Sequence, residues 1–370
     1  MSLDAEHWLA RLTEAPGVSG HESDVADAIR AAWAPFADEI REDALGNVIA
    51  VRHGAIHRAG QTTEAGTVAV PSILLASHQD EIGLMVTGIE AGGFLRFTTV
   101  GGWDARVIVA QPVTVHGRAP LPGVVGTRPP HVLGSEQRAK AVPIDELFVD
   151  LGLPEAEVRA GVRVGDVITM RRRTTRLQGD RWTGKAMDNR ASVLAVTLAL
   201  EALVGRSHAW DVLAVATVQE EVGLKGAATA AWGIAPTLAI AVDVSFARQP
   251  GVGDVSYKLG GGPLLGFGPN IHPRLFEGLR AAAEQLEMGH HVEPIAGASG
   301  TDAWAIQVAR AGIPTGLIGI PIRYMHSTVE TVALPDIQRA GRLMAHYVCS
   351  LTAESADGWV DDVAWWDESD

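Results

Sequence analysis

The chain holds a single cysteine, Cys349, in 370 residues. An intramolecular disulfide and a cysteine-ligated metal site are both excluded, and such usage suits a reducing cytoplasm. Aromatic residues make up only 5% of the chain, too few to suggest a sugar-stacking platform. Basic residues are in deficit: 30 Lys and Arg against 44 Asp and Glu leave a net charge of -14. No long basic face offsets it, which argues against nucleic acid as a partner. The short run Arg171-Arg172-Arg173 is read as a solvated strand face or an interdomain contact. Long apolar runs are missing too. The longest, Ala191 to Val204, is too short for a bilayer and carries Glu201, while the amino terminus lacks the basic start and apolar run of a signal peptide. No membrane is expected as a partner, and the expected location is cytoplasmic.

What is present is a composition 47% hydrophobic and 20% charged, enough to bury a large core in roughly two domains. Ser19-Gly20-His21-Glu22 has the pattern of a capping box, predicting a helix from there to about Trp33, with His21 structural. Gly46-Asn47 between Glu42 and Val51 predicts a hairpin, and residues 54–70 a loop. The apolar run Ser72 to Ala76 predicts a strand buried on both faces. From 82 to 171 the texture changes to short β-type runs, at 83–89, 94–100, 107–115, 124–125 and 164–170. Turn signals lie at Gly92-Gly93, Gly101-Gly102 and Pro120 to Gly123. From Thr183 an α/β alternation follows: helices near 189–204, after Gly223, 273–287 and 335–351, and strands near 212–218, 238–242 and 315–320. The expected fold class is therefore α/β, a mostly parallel sheet flanked by helices (residues 1–78 and 172–352) with an inserted β-rich domain at 79–171. Residues 353–370, acidic and carrying Trp359, Trp365 and Trp366, match no regular period and are expected to form a mobile tail.

Several predicted strands end in a residue able to hold a metal. His78 follows Ile73 to Ala76, Glu220 and Glu221 follow Val212 to Val218, Asp243 follows Leu238 to Val242, and His326 lies shortly beyond Leu317 to Ile320. Open α/β sheets bind ligands at these carboxyl ends. Asp188 opens the apolar helix after Gly184, where it could equally act as an N-cap. Taken singly, each residue could be structural; their arrival from separate segments at one edge points to a site. Histidines with carboxylates and no cysteine suit Zn, Co or Mn, and the ligand number exceeds one tetrahedral zinc. That excess favours two ions, about 3.5 to 4 Å apart and bridged by a carboxylate. Asp80, two residues beyond His78, can orient its imidazole. Glu220 and Glu221 are neighbours that need a kink to serve one site, which Gly223 and Gly226 make plausible. One would be a ligand and the other a general base; the residues alone leave open which. Gly260 to Gly268 lacks the Lys-Ser/Thr ending of a phosphate loop and is read as a turn-rich wall near the substrate.

Blocks along nearly the whole chain then carry a resemblance. Ser77-His-Gln-Asp-Glu-Ile-Gly83, Gly184-Lys-Ala-Met-Asp-Asn-Arg190, Val218-Gln-Glu-Glu-Val-Gly-Leu-Lys-Gly-Ala227, Val242-Asp-Val-Ser245, Ser299-Gly-Thr-Asp-Ala303 and Arg323-Tyr-Met-His-Ser-Thr-Val-Glu330 together resemble the M42 family of dinuclear metalloaminopeptidases, of glutamyl and TET aminopeptidase type. The resemblance implies His78 and Asp243 on one metal, Glu221 and His326 on the other, Asp188 bridging both, Glu220 as general base and Asp80 behind His78. It also implies removal of N-terminal residues from short peptides by a metal-bridging hydroxide. The insert becomes a dimerisation domain, and dimers would assemble into a tetrahedral dodecamer. Ser299 to Asp302 resembles a loop near the site, although a helix cap before Ala303 is equally permitted. Gln79 departs from the usual methionine, and the tryptophan-bearing tail is an addition. Rival functions are a two-metal N-acyl amino-acid deacylase or carboxypeptidase, and a non-catalytic peptide-binding assembly protein. Lys185, Lys225 and Arg323 lie near the expected site in sequence without an assigned role.

Overall fold

Burial on both faces is written into the runs Ile73 to Ala76, Val212 to Ala216 and Leu238 to Val242, and every one of these side chains is buried. In the computed structural model, which describes residues 3–58, 62–63, 66–67, 70–129, 131, 141–253, 256–356 and 359, they form the centre of one large sheet. Helices α1 (Ala5–Glu14) and α2 (Ser23–Trp33) precede strands β1 (Glu39–Glu42), β2 (Val48–Arg52) and β3 (Ser72–His78). Six strands then close into a barrel: β4 (Gly83–Ile89), β5 (Leu95–Val100), β6 (Pro112–His116), β7 (Pro120–Gly126), β8 (Phe148–Asp150) and β9 (Val167–Met170). The chain returns to the sheet through β10 (Thr175–Arg176), β11 (Arg181–Gly184), helix α3 (Met187–Ala202), β12 (Asp211–Thr217), helix α4 (Lys225–Ile234) and β13 (Leu238–Phe246). It continues with β14 (Leu264–Phe267), α5 (Pro273–Gln285), β15 (His291–Pro294), α6 (Asp302–Ile306), β16 (Thr315–Arg323), β17 (Glu330–Ala333) and α7 (Leu334–Ser350).

The sheet order is β1-β2-β12-β3-β13-β16-β17-β11-β10, with β14 on β16 and β15 on β14. Its centre, β12-β3-β13-β16, is parallel, and antiparallel strands extend both sides. Helix α3, apolar over most of its surface, packs against α1, α7 and the sheet; α4 and α6 pack together elsewhere on it. The barrel has its own core, built around Leu84, Phe97, Val113, Val149 and Ile168. No helix among the described residues is long and apolar enough to cross a membrane.

Several local expectations are corrected. Ser19 and Glu22 form no capping box: Glu22 occupies the N-cap of α2 without a side-chain cap bond. Instead Ser19 Oγ donates to Asp80 Oδ2 at 2.6 Å, and Glu22 Oε1 accepts from the Gln219 amide at 3.2 Å. Residues 105–108 are a helical turn capped by Asp104, so the strand expected at 107–115 starts only at Pro112. Pro120 to Gly123, expected as a turn, lies in β7 beside β6, and its prolines fall where the barrel tolerates a missing donor. The loop expected at 54–70 contains a helical turn at 55–58 and a two-stranded pair at 62–63 and 66–67; its other residues from 59 to 69 lie outside the described set. In the tail, Trp359 is docked, its ring under Arg274 and its backbone carbonyl 3.2 Å from His272 Nε2. Residues 357–358 and 360–370, where the mobile tail was expected, lie outside the described set.

The hairpin at Gly46-Asn47 has a larger task than turning the chain. Asn47 is fully buried; its Oδ1 accepts from the Val218 amide at 3.0 Å and its Nδ2 donates to Gly226 O at 3.1 Å. It therefore holds both ends of the segment that carries Glu220 and Glu221. Removing the side chain strands a buried donor, so Asn47→Ala is expected to cost about 1–3 kcal/mol of unfolding free energy. Urea denaturation measures it, and a loss under about 0.5 kcal/mol, the scale of an ordinary surface change, would show that the clamp is unimportant.

Candidate metal centre

The central strands deliver their groups to the same edge. His78 is the last residue of β3 and pairs with Thr217, the last of β12. Beyond Thr217 the chain turns at Gln219, whose φ of 55° lies in the left-handed region. The kink foreseen from Gly223 and Gly226 is thus made at a glutamine. Asp80 stabilises that turn: its Oδ1 accepts from the Glu220 amide at 3.0 Å and its Oδ2 from the Glu221 amide at 3.2 Å. Asp243 lies within β13, opposite Gly319 of β16. Asp188 stands in the first turn of α3 with non-helical φ and ψ, its amide donating to Glu330 Oε2 at 3.1 Å. The other Glu330 oxygen accepts from the His326 amide at 2.8 Å.

All the expected ligands converge. Asp188 Oδ1 is 3.1 Å from His78 Nε2, and Asp188 Oδ2 is 3.4 Å from His326 Nε2. Asp243 Oδ1 lies 3.8 Å and Glu220 Oε2 3.9 Å from His78 Nε2, while Glu221 Oε2 lies 3.5 Å from His326 Nε2. His78 Nδ1 faces the Asp80 backbone carbonyl at 3.2 Å, nearer than the Asp80 carboxylate at 3.5 Å. Asp80 therefore orients the ring largely through its main chain and spends its carboxylate on the glutamate turn. Across from the sheet, a barrel loop touches the site: a Cβ on Gly102 would stand 3.0 Å from His326 Nδ1.

Burial dominates the electrostatics. It pushes Glu220 up to about 10 despite His78, with Asp243, Asp302 and Glu221 adding repulsion. Asp243 is raised well above the carboxylate range for the same reason. His326, hydrogen-bonded to Asp188 and Glu221, is raised to about 11. Burial alone would lower His78, but Glu220, Asp188 and Asp80 outweigh it and raise it strongly. Asp188 is lowered, the two imidazoles overcoming the effect of burial. A divalent cation bound among these groups would displace such protons. Imidazole and carboxylate donors in two overlapping sets, His78/Glu220/Asp243 and His78/Asp188/Glu221, fit divalent cations. A third grouping, His53, His57 and Asp211, lies at the opposite end of β12 and is explained by hydrogen bonds of 3.2 and 3.0 Å to one Asp211 oxygen.

The cleft over this centre has a volume of about 330 Å³ and is walled by Phe246, Ile295, Leu317 and Met325, with Ser299 to Thr301 at one side. Gly260 to Gly268 does not line it; that stretch enters β14, which lies between β16 and β15. Lys185 is not in the cleft either but pairs with Glu81 at 2.7 Å beneath the site, next to the fully buried Arg190. Arg323 donates to Arg248 O at 2.7 Å. Glu330, Asp302 and Glu293 were given no role on the sequence alone. Glu330 and Asp302 each had a signal, as members of the blocks Arg323 to Glu330 and Ser299 to Ala303; Glu293 had none.

The M42 glutamyl aminopeptidase family model matches residues 61–343. The chain belongs to this family. A lysyl aminopeptidase from Pyrococcus furiosus is 35% identical over 341 residues, which is 90% of this chain and 94% of that one. The TET aminopeptidase of the marine sediment archaeon Thaumarchaeota archaeon SCGC AB-539-E09 superposes with a TM-score of 0.88 at 32% identity, covering 96% of this chain and all of the other (100%). The TET1 peptidase of Pyrococcus horikoshii, which can assemble into a tetrahedron or a large octahedral shell, gives 0.81 at 31% identity over 94% of this chain and 100% of its own. This M42 protein is accordingly a peptidase.

The protonation pattern makes a prediction for the metal-free protein. Glu220 rises from 4.5 to about 10 and His326 from 6.5 to about 11, so the folded state retains protons that the unfolded chain releases. Stability is then fullest below the unfolded values and is lost as pH rises toward the folded ones. Chelator-treated protein should show a Tm that falls with rising pH through this window. Added zinc should reverse the fall and release protons, readable as buffer-dependent heats in calorimetry. Zinc binding without proton release would contradict the protonation pattern.

Proposed function

We propose that this M42 protein is a dinuclear aminopeptidase that removes the first residue from short peptides, using two divalent ions per subunit, zinc or cobalt foremost and manganese next. The observation that carries this is the Asp188 carboxylate, whose two oxygens face two different imidazoles, each beside a further carboxylate. In this reading His78 and Asp243 hold one ion, Glu221 and His326 the other, and Asp188 both. Ions so held would polarise the scissile carbonyl and lower the pKa of a water shared between them.

The remaining steps belong to the chain. Glu220, held at the cleft by the Asp80 bond to its amide, takes the proton of the attacking water on a carboxylate oxygen and returns it to the leaving amine. Proximity alone would also allow Glu220 as a ligand beside His78 and Asp243, so its role needs a separate readout. Asp80, Ser19 and Glu330 position the groups that act. The carboxylates around the cleft are suited to a free α-amine, which would restrict cleavage to the first residue. We further propose that residues 79–171 form a dimerisation domain, that dimers build a tetrahedral dodecamer as in the TET relatives, and that the protein is cytoplasmic.

Free-amine aminoacyl reporter amides and their N-acetylated copies, assayed after chelation with Zn, Co or Mn restored singly, test the class. Cleavage of the free-amine series alone is expected. Hydrolysis of the blocked series would instead indicate a deacylase, and silence in both a binding or assembly protein. Glu220→Gln should keep both ions by elemental analysis yet lower kcat by about 10²–10⁴; loss of an ion would make Glu220 a ligand. Asp188→Asn should lose metal together with activity, and retention of two ions per chain would remove Asp188 from the bridge.

A further inference from the structure

Beyond the metal-facing carboxylates, the cleft contains one more acid. Glu293, on the short outer strand β15, lines it. Its Oε1 accepts from Ser245 Oγ, and Ser245 lies two residues beyond Asp243 on the same strand. Alternate residues share a sheet face, so Ser245 and the carboxylate bonded to it stand on the face that carries Asp243. The path between is kept open by Gly319, the cross-strand partner of Asp243: a Cβ there would sit 3.2 Å from Glu293 Oε2. Around this lane the walls are apolar, formed by Phe246, Ile295, Leu317 and Met325.

Glu293 is short of partners. Among the described residues Ser245 supplies its side-chain hydrogen bond, and no Lys or Arg forms an ion pair with it. Burial raises its carboxyl, only partly offset by Ser245. A half-buried carboxylate at the end of an apolar lane has the complement of a long aliphatic stem carrying a cation, because such side chains lay their methylenes on apolar surface and keep the charged head apart. Resting on the aminopeptidase reading above, we propose that this lane receives the side chain of the substrate's first residue and that Glu293 selects lysine or arginine there. An acidic first residue would bring a second carboxylate against Glu293 and is rejected.

The test compares lysyl, arginyl, norleucyl and glutamyl reporter amides with metal-loaded wild type and Glu293→Gln. Norleucine supplies the stem of lysine without the charge. A charge-assisted contact corresponds to about 10- to 100-fold, so wild type should prefer lysine over norleucine by at least about tenfold in kcat/KM and cleave the glutamyl amide least. In Glu293→Gln the lysine to norleucine ratio should fall by about tenfold or more. The ratio does not depend on the fraction of folded enzyme, so a poorly folding variant still reports. An unchanged ratio, or equal cleavage of lysyl and glutamyl amides by wild type, overturns the assignment of Glu293 and leaves the aminopeptidase reading intact. Cleavage of none of the free-amine amides overturns both.

Discussion

The structure depends on bringing carboxylates out of water beside one another. Asp80, Asp188, Asp243 and Glu330 are buried at one sheet edge with Glu220 and Glu221 close by, an arrangement that repulsion and desolvation both oppose. The fold answers in layers. Glu330 spends both oxygens on the amides of Asp188 and His326, and Asp80 spends its own on those of Glu220 and Glu221. Beneath them Glu81 is matched by Lys185 and Arg190, a buried charge set whose members also donate to Ala15 and Leu12 carbonyls. What these bonds leave unneutralised is concentrated between two imidazoles, and that residue of negative charge is what makes a divalent cation the natural occupant.

The converging residues were legible because they obey a topological rule, and the family because six residue blocks occur in order. Parallel strands buried on both faces are continuous apolar runs, so the residue where each run stops can be read directly, and His78, Glu220 and Asp243 all stand at or near such stops. His326 was read the same way, shortly beyond Leu317 to Ile320, and Asp188 from its place before the apolar helix; the resemblance added which glutamate is the base. The supports were less visible. Ser19 and Glu22 match a capping pattern, yet the structure uses both across long sequence distances, on Asp80 and Gln219. A local motif competed with a tertiary contact and lost. Glu293 sits in an exposed-alternating strand of ordinary polarity, where nothing local distinguishes a pocket acid from a solvated one.

The fold was legible in proportion to burial. The central strands and the long helices α3, α5 and α7 follow their apolar patterns, whereas the short strands β10, β11, β15 and β17 were not foreseen. Such strands make few side-chain demands of their own; they exist because a neighbour supplies the ladder. Helix α1 was also missed, although Asp4 caps it by accepting from the His7 amide. In the barrel, Pro120 and Pro122 resemble turn residues, and only the pairing with β6 shows that they are extended.

Gly102 is one of several places where the barrel meets the sheet body; Gly83 against Val18 and Gln111 beside Thr328 are others. The barrel has its own core and reaches the catalytic edge through a loop whose glycine leaves just enough space for the His326 ring. At Gly102 even a methyl group would be felt by that ring. An insert exchanged by recombination would therefore have to restore, besides its other contacts with the sheet body, a residue without a side chain opposite that imidazole.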